Sequence, residues 1–136
     1  MIEHKLEVGT KVYLSKTVAE FDVYCYASII GDFNPIHVNS VVAKESTFKA
    51  RIAHGMLGVG YIYGAITEHF DKLYVTKQKI SFKKPIYFDD TITVRIEITD
   101  ITESGDIHII SNIFNQNDKL VTEASLVCRH IKEIYL

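Results

Sequence analysis

Between residues 31 and 37 the chain reads Gly31-Asp32-Phe33-Asn34-Pro35-Ile36-His37, with a carboxylate and an imidazole five positions apart on either side of a proline. General acid–base chemistry needs two such groups within about 3 Å of the protons that move, or one water away. Pro35 pushes Asn34 out of the helical region, so the segment is predicted as a rigid turn, neither helix nor strand. A second reading is equally open. Asp32 and Asn34 are common turn formers that bond their own backbone, and His37 then lies on the surface.

Residues 51–56 read Arg51-Ile52-Ala53-His54-Gly55-Met56 and open the most apolar stretch of the chain. If that stretch is a helix, its first N–H groups lack acceptors, carry partial positive charge and suit an oxyanion. Glycine at 55 would let a carbonyl oxygen come close to the amide. The competing reading has His54 helping to cap the helix and Gly55 serving packing. Taken together, the two segments divide one task. Removing a proton beside a carbonyl puts charge on its oxygen, so one site must take the proton and another must stabilise the charge.

Other constellations are weaker. The six histidines show no metal-ligand spacing with a carboxylate partner, so no metal and no cofactor are read from the sequence. Cys25 has no evident base beside it. Gly58-Val59-Gly60 with Gly64 lacks the spacing and the strand-to-helix setting of a dinucleotide fingerprint. Tyr61, Tyr63 and Tyr74 suit a core or a tunnel wall. Arg51, Lys49 and Lys44 could meet phosphates, although a solvated charged face explains them as well.

Several elements must carry these groups. Residues 11–14 alternate as a short strand. Thr17 followed by Glu20 suggests a capping box for a helix over 18–30 that turns Phe21, Tyr24, Cys25, Ser28 and Ile29 to one apolar face, and Gly31 stops it. Residues 40–45 suit a short helical piece. Residues 55–70 form the main helix, apolar nearly all round and therefore expected to be buried on every side. Its four glycines imply close approach by neighbouring backbone. Strands follow over 74–87, 91–101, 107–114 and 120–134, with turns at 104–106 and 115–118. Helices first and a strand meander last argue for an α+β fold, one central helix on one antiparallel sheet. Such a sheet has edges that pairing of two copies would hide.

At 136 residues the chain is read as a single domain over 1–136. Net charge is −2 with pI near 6.3, which gives no sign of nucleic acid or an anionic membrane as partner. No apolar run is long enough to span a bilayer, and residues 1–5 do not begin like a secretory signal. Cys25 and Cys128 are read as small apolar residues, and the protein as cytoplasmic.

Gly-Asp-x-Asn-Pro-Ile-His followed by Ile-Ala-His-Gly-Met resembles the MaoC-like family, the (R)-specific enoyl-CoA hydratases with the hydratase 2 motif and a hot-dog fold. Leu6-Glu7-Val8-Gly9, the stretch Ile80-Ser81-Phe82-Lys83-Lys84-Pro85 and the closing strands extend the likeness over nearly the whole chain. The resemblance implies reversible addition of water to an enoyl thioester, on CoA or acyl carrier protein, in a homodimer or higher homo-oligomer. It implies Asp32 and His37 as catalytic residues and Gly55 as the amide that binds the thioester oxygen, with Asn34, His54, Met56 and Arg51 as further candidates for substrate contact. A hot-dog thioesterase and a non-catalytic acyl-thioester-binding subunit are the alternatives. The chain departs from the family in two places. Tyr61, Tyr63 and Gly64 stand where such a hydratase carries a serine in the central helix, and Asp89-Asp90 stands where Gly-Asp is frequent.

Overall fold

The computed structural model describes residues 4–134, with side chains through 132; residues 1–3, part of the start read above for a signal, lie outside the described residues. The elements are β1 (Lys11–Thr17), α1 (Glu20–Ile30), α2 (Pro35–Val38), α3 (Ser40–Glu45), α4 (Gly55–His69), β2 (Leu73–Phe82), β3 (Thr91–Ile101), β4 (Ile107–Phe114), β5 (Leu120–His130) and α5 (Ile131–Ile134). The strands form one sheet in the order β1-β3-β4-β5-β2, every pair antiparallel. The α+β expectation holds.

Period 2 gives the sheet its buried face. In β3 the side chains of Ile92, Val94, Ile96 and Ile98 are all buried while their neighbours are not. They meet Ile107, Ile109 and Ile113 of β4 and Leu126 of β5 in the core, and α4 lays Ile62, Ala65 and Ile66 onto the same cluster. No helix among the described residues is long and apolar enough to cross a membrane.

Four expectations about elements are corrected. Thr17 is not a helix cap: it ends β1, and its hydroxyl bonds that of Thr91 at 2.8 Å. α1 instead starts after Ala19, whose N–H donates to Asp22 Oδ2 at 2.9 Å. The buried face of α1 is Val23 and Ala27, while Phe21 is 74% and Ile29 81% exposed. The helix is apolar on two sides, so its period could not choose between them. β2 stops at Phe82, before Lys83-Lys84-Pro85, and β5 gives way to α5 at Ile131.

α4 is buried on one side only in this chain. Met56 and Tyr63 are exposed, and a methyl group placed on Gly60 or Gly64 would meet nothing. Gly55 and Gly58 are the close approaches, and what approaches them is side chain, Phe82 and Ile86 with Ile113, not backbone. Among the described residues, β1 and β2 are the two edge strands of the sheet.

Candidate active site

Pro35 fits the first turn of a helix, where its missing N–H costs nothing, and α2 begins there. Asn34 caps it, accepting the Ile36 N–H on Oδ1 at 3.2 Å. The predicted non-helical turn is therefore corrected to a single helical turn, reached through an extended Asn34 (ψ 131°) as the proline requires. Asp32 Oδ1 accepts the Asn34 N–H at 3.1 Å. Asp32 and Asn34 are thus turn formers, as one reading had it, but His37 is not a surface residue. It is 6% exposed.

The segment before α4 fastens α2 to the body of the protein. Ile52 N–H donates to Ile36 O at 3.0 Å, and Ala53 N–H donates to Ile86 O at 2.7 Å. Ile52 O accepts from His37 Nδ1 at 2.7 Å. His54 then precedes α4 with its ring stacked on that of His37, centroids 3.8 Å apart at 26°. Its Nε2 bonds the main-chain oxygen of Asp32 at 2.9 Å.

Carbonyl oxygens only accept hydrogen bonds. His37 therefore carries a proton on Nδ1 and, when neutral, a lone pair on Nε2. Burial is the main reason its pKa is held below the ordinary imidazole value of 6.5. The nearby His54 ring pushes the same way, against the Ile52 bond and the Asp32 charge. The fold favours the neutral, base form of His37.

Asp32, His37, His54, Gly55 and Met56 line one cavity of about 470 Å³. Gly55 occupies the first position of α4, where an N–H has no acceptor within the helix. The site thus joins a carboxylate, an imidazole lone pair and the start of α4. Two sequence-derived candidates stand apart. Asn34 is not part of the lining; its side chain is spent on the cap. Arg51 is also absent from it, bonded to Glu20 at 2.8 Å with its guanidinium 4.6 Å from the Phe88 ring centroid. It lines a different cavity together with Lys44 and Lys49.

The apolar wall includes Tyr26 and Ile30 of α1, Phe48 and Ile86, which sequence reasoning did not single out, and Phe82, which entered only as part of the stretch 80–85. The one available signal was Gly55 itself. A methyl group there would fall 2.7 Å from the Phe82 ring, so the glycine answers to a bulky neighbour as well as to a ligand.

Asp32, His37 and His54 also bring one donor atom each within 4.8 Å of one another, a cluster that sequence spacing could not reveal. Two of the four ring nitrogens are committed to carbonyl oxygens. In stacked rings the in-plane lone pairs run side by side and do not converge on one ion. The arrangement suits proton transfer better than metal ligation.

A single antiparallel sheet packed on one long helix, with the site at the helix start, is the hot-dog arrangement. A family model for the MaoC like domain matches residues 4–118, and the chain belongs to that family. It is 31% identical over 133 residues to an (R)-specific enoyl-CoA hydratase of Aeromonas caviae, covering 95% of this chain and 98% of the relative. A second (R)-specific enoyl-CoA hydratase, from Rhodospirillum rubrum, is 37% identical over 97 residues, covering 69% and 67%. Among solved structures, the unliganded R-hydratase of Pseudomonas aeruginosa superposes with TM-score 0.86 at 30% identity, covering 92% of this chain and 82% of that one.

Proposed function

We propose that residues 1–136 act as one MaoC-like domain that reversibly adds water to a trans-2-enoyl thioester, with (R) stereochemistry and a short acyl chain. One observation carries the reading. The His37 lone pair, the Asp32 carboxylate and Gly55, the first residue of α4, meet in a single, largely apolar cavity.

In the hydration direction, water sits between Asp32 and His37, and one of them takes its proton. The oxygen bonds to C3 while the C2–C3 π pair shifts toward the thioester carbonyl. The Gly55 N–H stabilises the charge that develops on that oxygen. The proton taken by the pair is then delivered to C2, where the electron pair returns to form the C–H bond, and the 3-hydroxyacyl thioester leaves. Dehydration runs the same steps backwards. Met56 flanks the bound carbonyl, and the carrier is CoA or acyl carrier protein.

The exposed side of α4 and the edge strands β1 and β2 support a homodimer or higher homo-oligomer, since pairing would cover both. The free thiols of Cys25 and Cys128 support a cytoplasmic, reducing setting. The test is an assay with crotonyl-CoA. Loss of the enoyl absorbance with formation of the (R)-3-hydroxy product is expected. Release of free CoA would mean thioester hydrolysis instead, and no change of either kind would reject the reading.

A further inference from the structure

His54 is 3% exposed, with the His37 ring stacked on it and Tyr26 meeting it edge-on at 5.0 Å. Little of its surface is left for a substrate. Its Nε2 donates to the main-chain oxygen of Asp32 at 2.9 Å, while the Asp32 carboxylate oxygen lies 3.9 Å away, beyond hydrogen-bond range.

That bond matters because of what surrounds it. Residues 31–35 are exposed, and the hydrogen bonds of this stretch are otherwise local. Gly31 bonds back to Ala27, Asp32 to Asn34, and Asn34 to Ile36 and His37. Among the described residues, the His54 bond is what ties Asp32 to anything beyond its own turn. The same ring forms a wall against which His37 rests. One side chain thus touches both members of the acid–base pair.

The imidazole also carries a cost. His54 Nδ1 is buried with no partner, and an unpaired buried acceptor is unfavourable. A phenyl or isobutyl group would fill the space without that penalty. What the imidazole adds is the Nε2–H.

We propose that His54 is a positioning residue: with its proton on Nε2 it anchors the Asp32 main chain to the start of α4 and supports the His37 ring. The inference rests on the hydration reading above and replaces the sequence expectation that His54 contacts substrate.

Two variants and one spectrum test it. His54→Phe keeps a ring against His37 but removes the donor. His54→Gln returns an N–H donor without the aromatic ring. Loss of the tether misplaces Asp32, and a displacement of about 1 Å costs on the order of 10² in rate. In His54→Phe, kcat for crotonyl-CoA hydration is expected to fall roughly ten- to hundredfold while KM stays within about threefold. His54→Gln is expected to recover part of that loss. Imidazole nitrogen NMR of the unmodified protein is expected to show the proton of His54 on Nε2 and that of His37 on Nδ1.

An unchanged kcat in both variants overturns the proposal, as does a rise in KM alone, which would mark direct substrate contact. A spectrum with the His54 proton on Nδ1 overturns it as well. If His54→Phe fails to fold, the glutamine variant and the spectrum decide. If the unmodified protein leaves crotonyl-CoA unchanged, the hydration reading is at fault, and the spectrum still tests the His54 bond by itself.

Discussion

His37 Nδ1 lies 2.7 Å from the main-chain oxygen of Ile52, and this contact determines which edge of the imidazole works as a base. The oxygen can only accept, so the ring is held as the tautomer with its lone pair on Nε2. Ile52 is itself held by the Ile36 oxygen on one side of the residue and, through Ala53, by the Ile86 oxygen. The orientation of the base is thus set by the segment that leads into α4.

His37→Gln keeps a polar side chain but loses the basic nitrogen, and Asp32→Asn keeps the turn but loses the charge. Each is expected to lower kcat by about 10²–10⁴-fold, the usual span of a general acid–base group. Melting temperatures should change little for Asp32→Asn, since an amide oxygen still accepts the Asn34 N–H. Steady-state kinetics with crotonyl-CoA checks both, and an unchanged rate in either variant removes that residue from the mechanism.

Burial lowers the His37 pKa below the imidazole value of 6.5. Its neutral form survives to lower pH than in a free histidine. The acid limb of kcat/KM, which reports the free enzyme, is expected to have its midpoint below pH 6.5. The stability sign follows from the same shift. Below the unfolded value the unfolded chain binds the proton more readily, so stability from His37 is present above about pH 6.5. It declines as pH falls through the lower, folded value. A midpoint above pH 7 in the rate profile would contradict the assignment.

A methyl group on Gly55 would lie 2.7 Å from Cε1 and 2.9 Å from Cδ1 of Phe82, so one of them must move. Phe82 is 55% exposed at the end of β2, and its ring can swing away. Gly55→Ala is therefore expected to fold, with a stability loss of no more than about 1–3 kcal/mol from overpacking. Its kcat should fall by at least about tenfold, because the methyl narrows the approach to an oxyanion donor worth on the order of 10²–10³. Adding Phe82→Leu should return most of the melting temperature. Recovery of full activity in that double variant would mean that the loss came from the clash with Phe82 and not from a narrowed approach to the amide.

Asp89 adopts φ 70° in the turn whose Asp89 N–H bonds Val18 O at 2.8 Å. Aspartate tolerates this left-handed backbone and a β-branched residue does not. Asp89→Val is expected to cost about 1–3 kcal/mol. Asp89→Gly should be neutral or stabilising by up to about 1 kcal/mol, since relief of strain of about 1–2 kcal/mol is partly offset by roughly 0.5–1 kcal/mol of added unfolded-chain freedom. Equal melting temperatures for the two variants would show that the turn does not impose this conformation.

Much of this protein is legible from local order along the chain. The alternation of Ile92, Val94, Ile96 and Ile98 determined β3 and its buried face, because period 2 depends only on neighbouring residues. The apolar run after Gly55 determined the main helix, and Pro35 determined the conformation of Asn34. Asp32 and His37 stood out for the same reason, since five residues of chain and a proline carry their relationship. Where two sides of an element were equally apolar, as in α1, sequence could not choose. Val23 turns inward because it joins the core cluster formed by residues of the sheet and of α4, a fact no local window contains.

The tertiary structure alone decided what surrounds the acid–base pair. His54 lies 17 positions after His37 in sequence, yet the rings stack at 3.8 Å. Phe82 reaches Gly55 from β2, and Arg51 is drawn away from the cavity by Glu20 of α1. The same packing buries His37 and so shifts its pKa, through the solvent it excludes. Periodicity, caps and turns act over a few residues and can be read directly. Tautomer, burial and the partner of each ring nitrogen depend on groups far apart in the chain, and these exist only once the sheet and helices have closed around them.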